Sequence, residues 1–233
     1  MSWVAQTLNS TIGRKLIVAL TGLFLCTFLI VHAGGNTLLF RGDNGRAFNE
    51  YTYFMTHNPL IKTVSYVLYT GILAHVVYTL ILTFYNMKAR PSSYAYSKPS
   101  ANSTWASRNM GFLGTVLLIF LVIHMKTFWY EMHFGNVPTV AYEGQDYKDL
   151  YGVVKWAFSQ WYYTAFYVLS MAALAFHLVH GFRSGFQTLG ANHPKYNPLL
   201  SKLSWAFGII IPLVFAAMPI YVFVTSLGKP VQP

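Results

Sequence analysis

Five long apolar runs decide which solvent this chain can fold in. They lie at about 16–40, 60–86, 110–130, 159–182 and 203–227, and each reaches the roughly 20 residues a helix needs to cross a bilayer. The bilayer interior has no water to satisfy loose backbone groups, so runs of this kind are expected to be helices. The expected fold is an all-α membrane protein with five transmembrane helices in a single domain, residues 1–233. Only 9% of the residues are charged and 55% are hydrophobic, whereas soluble domains carry about 25% charged residues. Pro212 and Pro219 fall inside the last run and are expected to kink it. Arg14 and Lys15 precede the first run, which is too long for a signal-peptide core and has no Ala-x-Ala site after it. It is expected to stay as a span.

Charge sorts by side. The N-terminus and the loops around 87–109 and 183–202 hold Arg14, Lys15, Lys88, Arg90, Lys98, Arg108, Arg183, Lys195 and Lys202, and no acid. All six acidic residues, Asp43, Glu50, Glu131, Glu143, Asp146 and Asp149, fall at or beyond the opposite helix ends. The positive-inside rule then places the N-terminus in the cytoplasm and the C-terminus outside. The net charge of +10 would suit a nucleic acid, but these basic residues sit in loops between spans, so the expected partner is the lipid bilayer and no nucleic acid. The loops leave no room for a separate catalytic domain.

Cys26 is the only cysteine and lies inside an apolar run. That excludes an intrachain disulfide, a Cys-ligated iron–sulfur cluster and Cys-x-x-Cys-His haem attachment. A redox cofactor would need other ligands, and histidine is the candidate. His57, His133 and His193 fall in loops or at span ends and read as solvated or interfacial. His32, His75, His124, His177 and His180 lie within spans, where an ionisable side chain is costly and marks a candidate functional site.

Helices one and three rise from the cytoplasmic side. His32 is 16 residues past Leu16 and His124 is 14 past Met110, about 24 and 21 Å up at 1.5 Å per residue. Helices two and four descend, which puts His75 just inside the midplane and His177 close to the cytoplasmic side. The four form an outer pair, His32 with His124, and an inner pair, His75 with His177. Two neutral imidazoles facing each other across a bundle suit a six-coordinate haem iron that carries electrons without activating oxygen. Two such haems make a dihaem four-helix core, with the fifth helix beside it. His180 lies one turn after His177 on nearly the same face, so either can be the ligand. Small residues beside the histidines (Gly34, Gly35, Gly71, Ala74, Ala172, Ala173, Ala175) suit either a macrocycle or close helix packing.

The segments around these histidines resemble a known family. They are S10-T-I-G-R-K-L with G22-L-F-L and F28-L-I-V-H-A-G-G-N36, then A47-F-N-E-Y-T-Y-F-M, I72-L-A-H-V-V-Y78, F120-L-V-I-H-M125 and F176-H-L-V-H-G-F-R-S-G-F-Q-T-L-G190. In order and spacing they resemble the cytochrome b subunit of succinate dehydrogenase/fumarate reductase, in its single-polypeptide, five-helix, two-haem branch. The resemblance implies a bacterial cytoplasmic (inner) membrane anchor for flavoprotein and iron–sulfur subunits on the cytoplasmic face. It implies two haem b groups ligated by His32, His75, His124 and His177, and it favours His177 over His180. Quinone, usually menaquinone in this branch, is the implied electron acceptor, and the complex is expected as a dimer or trimer. Some fumarate reductases of the branch carry a glutamate close before the helix-four ligand. Here the stretch is A172-A-L-A-F-H177, without an acid, which tilts the reading towards succinate oxidation.

Sidedness makes Arg14, Lys15, His180 and Arg183 candidate partners for haem propionates. Asn36, Glu50 and Lys126 are candidates for the quinone site. Three rival readings remain: the cytochrome b of another quinone-linked dehydrogenase or hydrogenase, a transporter with a histidine relay, and a haem-free anchor. The transporter is disfavoured by the lack of an internal repeat and of any acid inside a span.

Overall fold

A computed structural model describes residues 2–89 and 103–228; Arg90 and Lys98 of the basic loop lie outside them. Each expected span is a helix long and apolar enough to cross a membrane: Thr11–Phe40, Pro59–Lys88, Met110–Phe134, Trp161–Thr188 and Asn197–Ser226. The chain is a multi-pass, all-α membrane protein. In chain order the helices are α1 (Trp3–Asn9), α2 (Thr11–Asn36, closed by a 3-10 turn Thr37–Phe40), α3 (Arg46–His57), α4 (Pro59–Lys88), α5 (Trp105–Arg108), α6 (Met110–Phe134), α7 (Leu150–Ser159), α8 (Trp161–Thr188) and α9 (Asn197–Ser226). A two-stranded antiparallel hairpin, β1 (Thr139–Tyr142) with β2 (Gln145–Lys148), interrupts them.

Two of the five spans start on a side-chain cap. Ser10 Oγ accepts from Gly13 N, and Asn58 Oδ1 accepts from Leu60 N and Ile61 N just ahead of Pro59. The last span begins at Asn197 and the fourth continues to Thr188, each extending about six residues beyond its apolar run. These are amphipathic ends that hydropathy alone truncates. Helix α9 is continuous through Pro212 and Pro219, and both prolines are buried.

Helices α2, α4, α6 and α8 form a ring. Helix α2 packs on α4 and on α8, α6 packs on α8 and more sparsely on α4, and the two diagonals, α2 to α6 and α4 to α8, scarcely meet at the backbone. Helix α9 lies outside the ring against α8 and α2. Ser204 Oγ donates to the Val179 carbonyl, and a Cβ on Gly208 would stand 2.5 Å from Val179 Cγ2. Glycine at 208 therefore lets the two helices close up, as small residues do where hydrocarbon solvent removes the hydrophobic drive for association.

One end of the bundle is capped by α3, the hairpin and α7, all drawn from the two loops that carry the acids. Beneath them Leu39, Phe48, Leu150, Val154, Phe158, Tyr167, Met218 and Val222 form the buried cluster. Asn49 is 0% exposed and ties the cap together. Its Nδ2 donates to Asp149 Oδ1 at 2.9 Å and to the Tyr142 hydroxyl at 3.3 Å, and its Oδ1 accepts from Tyr151 N at 2.9 Å. Asp149 Oδ1 also accepts from Gly152 N at the start of α7. Arg46 joins α3 to the hairpin turn, at 2.7 Å from Glu50 and 2.7 Å from Glu143. Those hydrogen bonds hold its guanidinium pKa above the ordinary value, Glu50 contributing first. Gly45 has φ +86°, and the ring of Tyr151 lies where its Cβ would be. Backbone sign and close approach both demand glycine there.

Candidate haem-binding core

The four histidines meet across the two open diagonals. On α2 and α6, the His32 and His124 rings lie 5.8 Å apart between centroids, at 85°. On α4 and α8, the His75 and His177 rings lie 6.4 Å apart at 71°. A metal–imidazole bond of about 2 Å on each side, plus the half-width of each ring, puts the centroids of two trans ligands at roughly 6 Å. Both spacings fall within the range of edge-to-face ring contacts and are also compatible with two imidazoles on one metal ion. No cluster of three or more His, Cys, Asp or Glu side chains exists among the described residues. A tetrapyrrole supplies four equatorial nitrogens itself and asks only for a pair.

The two pairs sit at different depths. Thr21 touches His75 from α2, and His32 is eleven residues further along the same helix, roughly 16 Å of rise. Tyr167 touches His124 from α8, and His177 is ten residues further on, roughly 15 Å. Two helices running in opposite directions give the same separation. The His32–His124 pair is nearer the capped end.

Hydrogen bonding distinguishes the ring nitrogens. Nδ1 of His75 is 3.2 Å from Thr21 Oγ1, whose own hydrogen goes to the Ile17 carbonyl at 2.7 Å. Thr21 is therefore an acceptor for an Nδ1–H. Nδ1 of His124 is 3.3 Å from the Tyr167 hydroxyl. The Asn36 side-chain nitrogen donates to the His32 carbonyl at 2.7 Å and stands 3.4 Å from His32 Nδ1. Nδ1 of His177 is buried without a partner. A proton on Nδ1 of His75 leaves its Nε2 lone pair free, which is the tautomer that ligates a metal through Nε2.

Compared with protein-family models, curated proteins and solved structures, the chain matches none.

Of the histidines one turn apart on α8, only His177 makes a ring contact with His75. Arg14, from the propionate set, holds its guanidinium 4.6 Å from the centre of the Tyr85 ring, at the uncapped end. Lys15, His180 and Arg183 lie on the same ends of α2 and α8. Among the quinone candidates, only Asn36 touches a histidine. Glu50 lies in the cap, bound to Arg46, and Lys126 pairs with Glu131 at 2.5 Å. The three do not converge. Two of the small residues have packing partners instead of free space. Gly35 admits the Tyr51 ring, and Gly71 admits Phe24, 3.3 Å from an added Cβ. Gly22, in contrast, lies against His75, whose Cε1 would be 3.1 Å from a Cβ there.

The span-end histidines are held locally. His57 stacks on Tyr53 at 3.9 Å, His133 Nδ1 lies 2.8 Å from the Trp129 carbonyl, and His193 Nδ1 accepts from Lys195 N.

Three features of the site carry no signal in the sequence. Thr21 and Tyr167 are ordinary residues of apolar helices until the fold sets them against a histidine. The third is a π-helical segment, Met125–Tyr130, that begins directly after His124. Such segments concentrate at functional sites. Here it sets Thr127 Oγ1 3.2 Å from the Tyr163 hydroxyl, and it packs Phe128 against both His124 and Phe158.

Proposed function

We propose that the chain is the dihaem cytochrome b membrane anchor of a succinate:quinone oxidoreductase. The observation that carries the haem reading is the pair of histidine couples on the two diagonals, separated in depth. The donor set fits: paired neutral imidazoles in an apolar bundle, with no ion pair among the described residues involving a histidine. The narrower reading rests on the family resemblance of the segments around each histidine. Haem b supplies one-electron redox chemistry between ferrous and ferric iron.

The protein's part is positional. Each helix of the ring presents one imidazole, and Thr21 and Tyr167 orient the His75 and His124 rings. Two imidazoles would hold each haem, and a haem so held would carry electrons without binding oxygen. The apolar spans exclude water from the rings. Sidedness of charge puts the His75–His177 couple towards the cytoplasm, where flavoprotein and iron–sulfur subunits would dock, and the His32–His124 couple towards the outside. With haem bound, the inner couple would stand nearer the carriers that receive electrons from succinate and the outer couple further along, and the resemblance favours menaquinone as the acceptor. Moving an electron outward along the membrane potential contributes about 2.3 kcal/mol per charge per 100 mV, which helps an otherwise unfavourable reduction of menaquinone by succinate.

Isolation of the complex in mild detergent, followed by assay in sealed vesicles, tests this. A flavoprotein that oxidises succinate is expected to copurify, and an uncoupler is expected to slow succinate-dependent menaquinone reduction. Absence of that flavoprotein contradicts the assignment, and activity indifferent to the uncoupler contradicts the direction.

A further inference from the structure

Tyr167 is 5% exposed, in the second turn of α8. Phe120, Phe128, Phe158 and Tyr163 surround its ring, with centroids between 4.9 and 6.3 Å away. A buried tyrosine hydroxyl needs a partner. Among the described residues that partner is His124 Nδ1, at 3.3 Å. A neutral imidazole has one donor nitrogen and one acceptor nitrogen. If His124 gives its Nε2 lone pair to a metal, Nδ1 carries the hydrogen and the Tyr167 oxygen accepts it. This polarises the ring and raises its basicity as a ligand.

We propose that Tyr167 is the positioning residue of His124: its hydroxyl fixes the ring and, by accepting from Nδ1–H, holds the reduction potential of the outer haem down. The inference rests on the dihaem reading above. A more basic axial ligand favours the ferric state, so loss of the acceptor favours the ferrous one. The effect belongs to one haem only, because the inner couple has no tyrosine. There Thr21 serves His75, and His177 Nδ1 has no partner. The aromatic cage makes the phenol rigid, so removing its oxygen changes the hydrogen bond and leaves the packing.

The test is a redox titration of the purified protein, reading the haem absorbance of wild type, Tyr167→Phe and Tyr163→Phe. The outer midpoint is the one missing from His32→Ala. Tyr163 lines the same cage, and its hydroxyl reaches Thr127 instead of a histidine, so it reports on packing. Expected is a positive shift of the outer midpoint in Tyr167→Phe alone, with the inner midpoint unmoved. Loss of the outer haem from Tyr167→Phe but not from Tyr163→Phe also supports the role, since it shows the hydroxyl holding the ligand. Unmoved midpoints with both haems retained overturn the inference, as does loss of the outer haem from both variants, which marks a packing effect. A wild-type protein without haem defeats the dihaem reading itself.

Discussion

Replacing His177 with alanine is expected to leave the purified protein with one haem in place of two, while His180→Ala keeps both. The two residues are one turn apart on α8 and share a helix face, so sequence position alone does not separate them. Geometry does. The His177 ring stands 6.4 Å from His75 across the bundle, and His180 makes no ring contact with that partner. A haem held by two imidazoles would lose one of its two protein donors, and packing alone would then have to retain it. The same logic makes His75→Ala equivalent to His177→Ala, and His32→Ala equivalent to His124→Ala. The two losses are distinguishable by which midpoint disappears. Haem content and redox titration of the four single variants, with His180→Ala as the control, check this. Retention of both haems by His177→Ala would reassign the inner ligand.

The second large effect lies in the cap. Asn49→Ala is expected to destabilise the capped end by roughly 3 kcal/mol, the sum of one orphaned buried N–H at Tyr151 and the lost bonds to Asp149 and Tyr142. Asn49→Asp should be worse, because a second carboxylate would sit against Asp149 in a site 0% exposed. The buried cluster under the cap includes Tyr167, which packs on His124, and Phe158, which packs on Tyr167. Heating should therefore release the outer haem of Asn49→Ala at a lower temperature than that of wild type, with the inner haem following later. Thermal titration of the two haem signals in detergent reads both. Simultaneous loss at the wild-type temperature would show that the cap is not coupled to the outer couple.

The spans were legible because membrane solvent writes them as uninterrupted apolar length, and the histidine couples because 1.5 Å per residue converts sequence offset into depth. Helix ends were legible only in part. Arg183, Ser184 and Gln187 continue α8, and Asn197 to Lys202 begin α9, on polar surfaces that a hydropathy criterion cuts off. The cap lay hidden in stretches read as loops. Its hairpin does leave a local trace: Thr139–Tyr142 and Gln145–Lys148 flank Glu143-Gly144, with φ +51° and +84°, a two-residue turn of the kind that favours paired strands. The Asn49–Asp149 bond spans 100 residues and has no local signature. The π-helical segment after His124 has none either, since a run such as Met125–Tyr130 suits an ordinary helix equally well. Glu50, a candidate for the quinone site, is bound to Arg46 in the cap and touches no histidine.

The central claim is that this chain holds two haems between four named histidines. A reduced-minus-oxidised visible spectrum of the purified chain, with haem counted against protein, tests it most directly. Two low-spin b-type haems per chain, falling to one in each of the four single histidine variants, is the result expected. A spectrum without haem bands, or haem content unchanged in those variants, would contradict it.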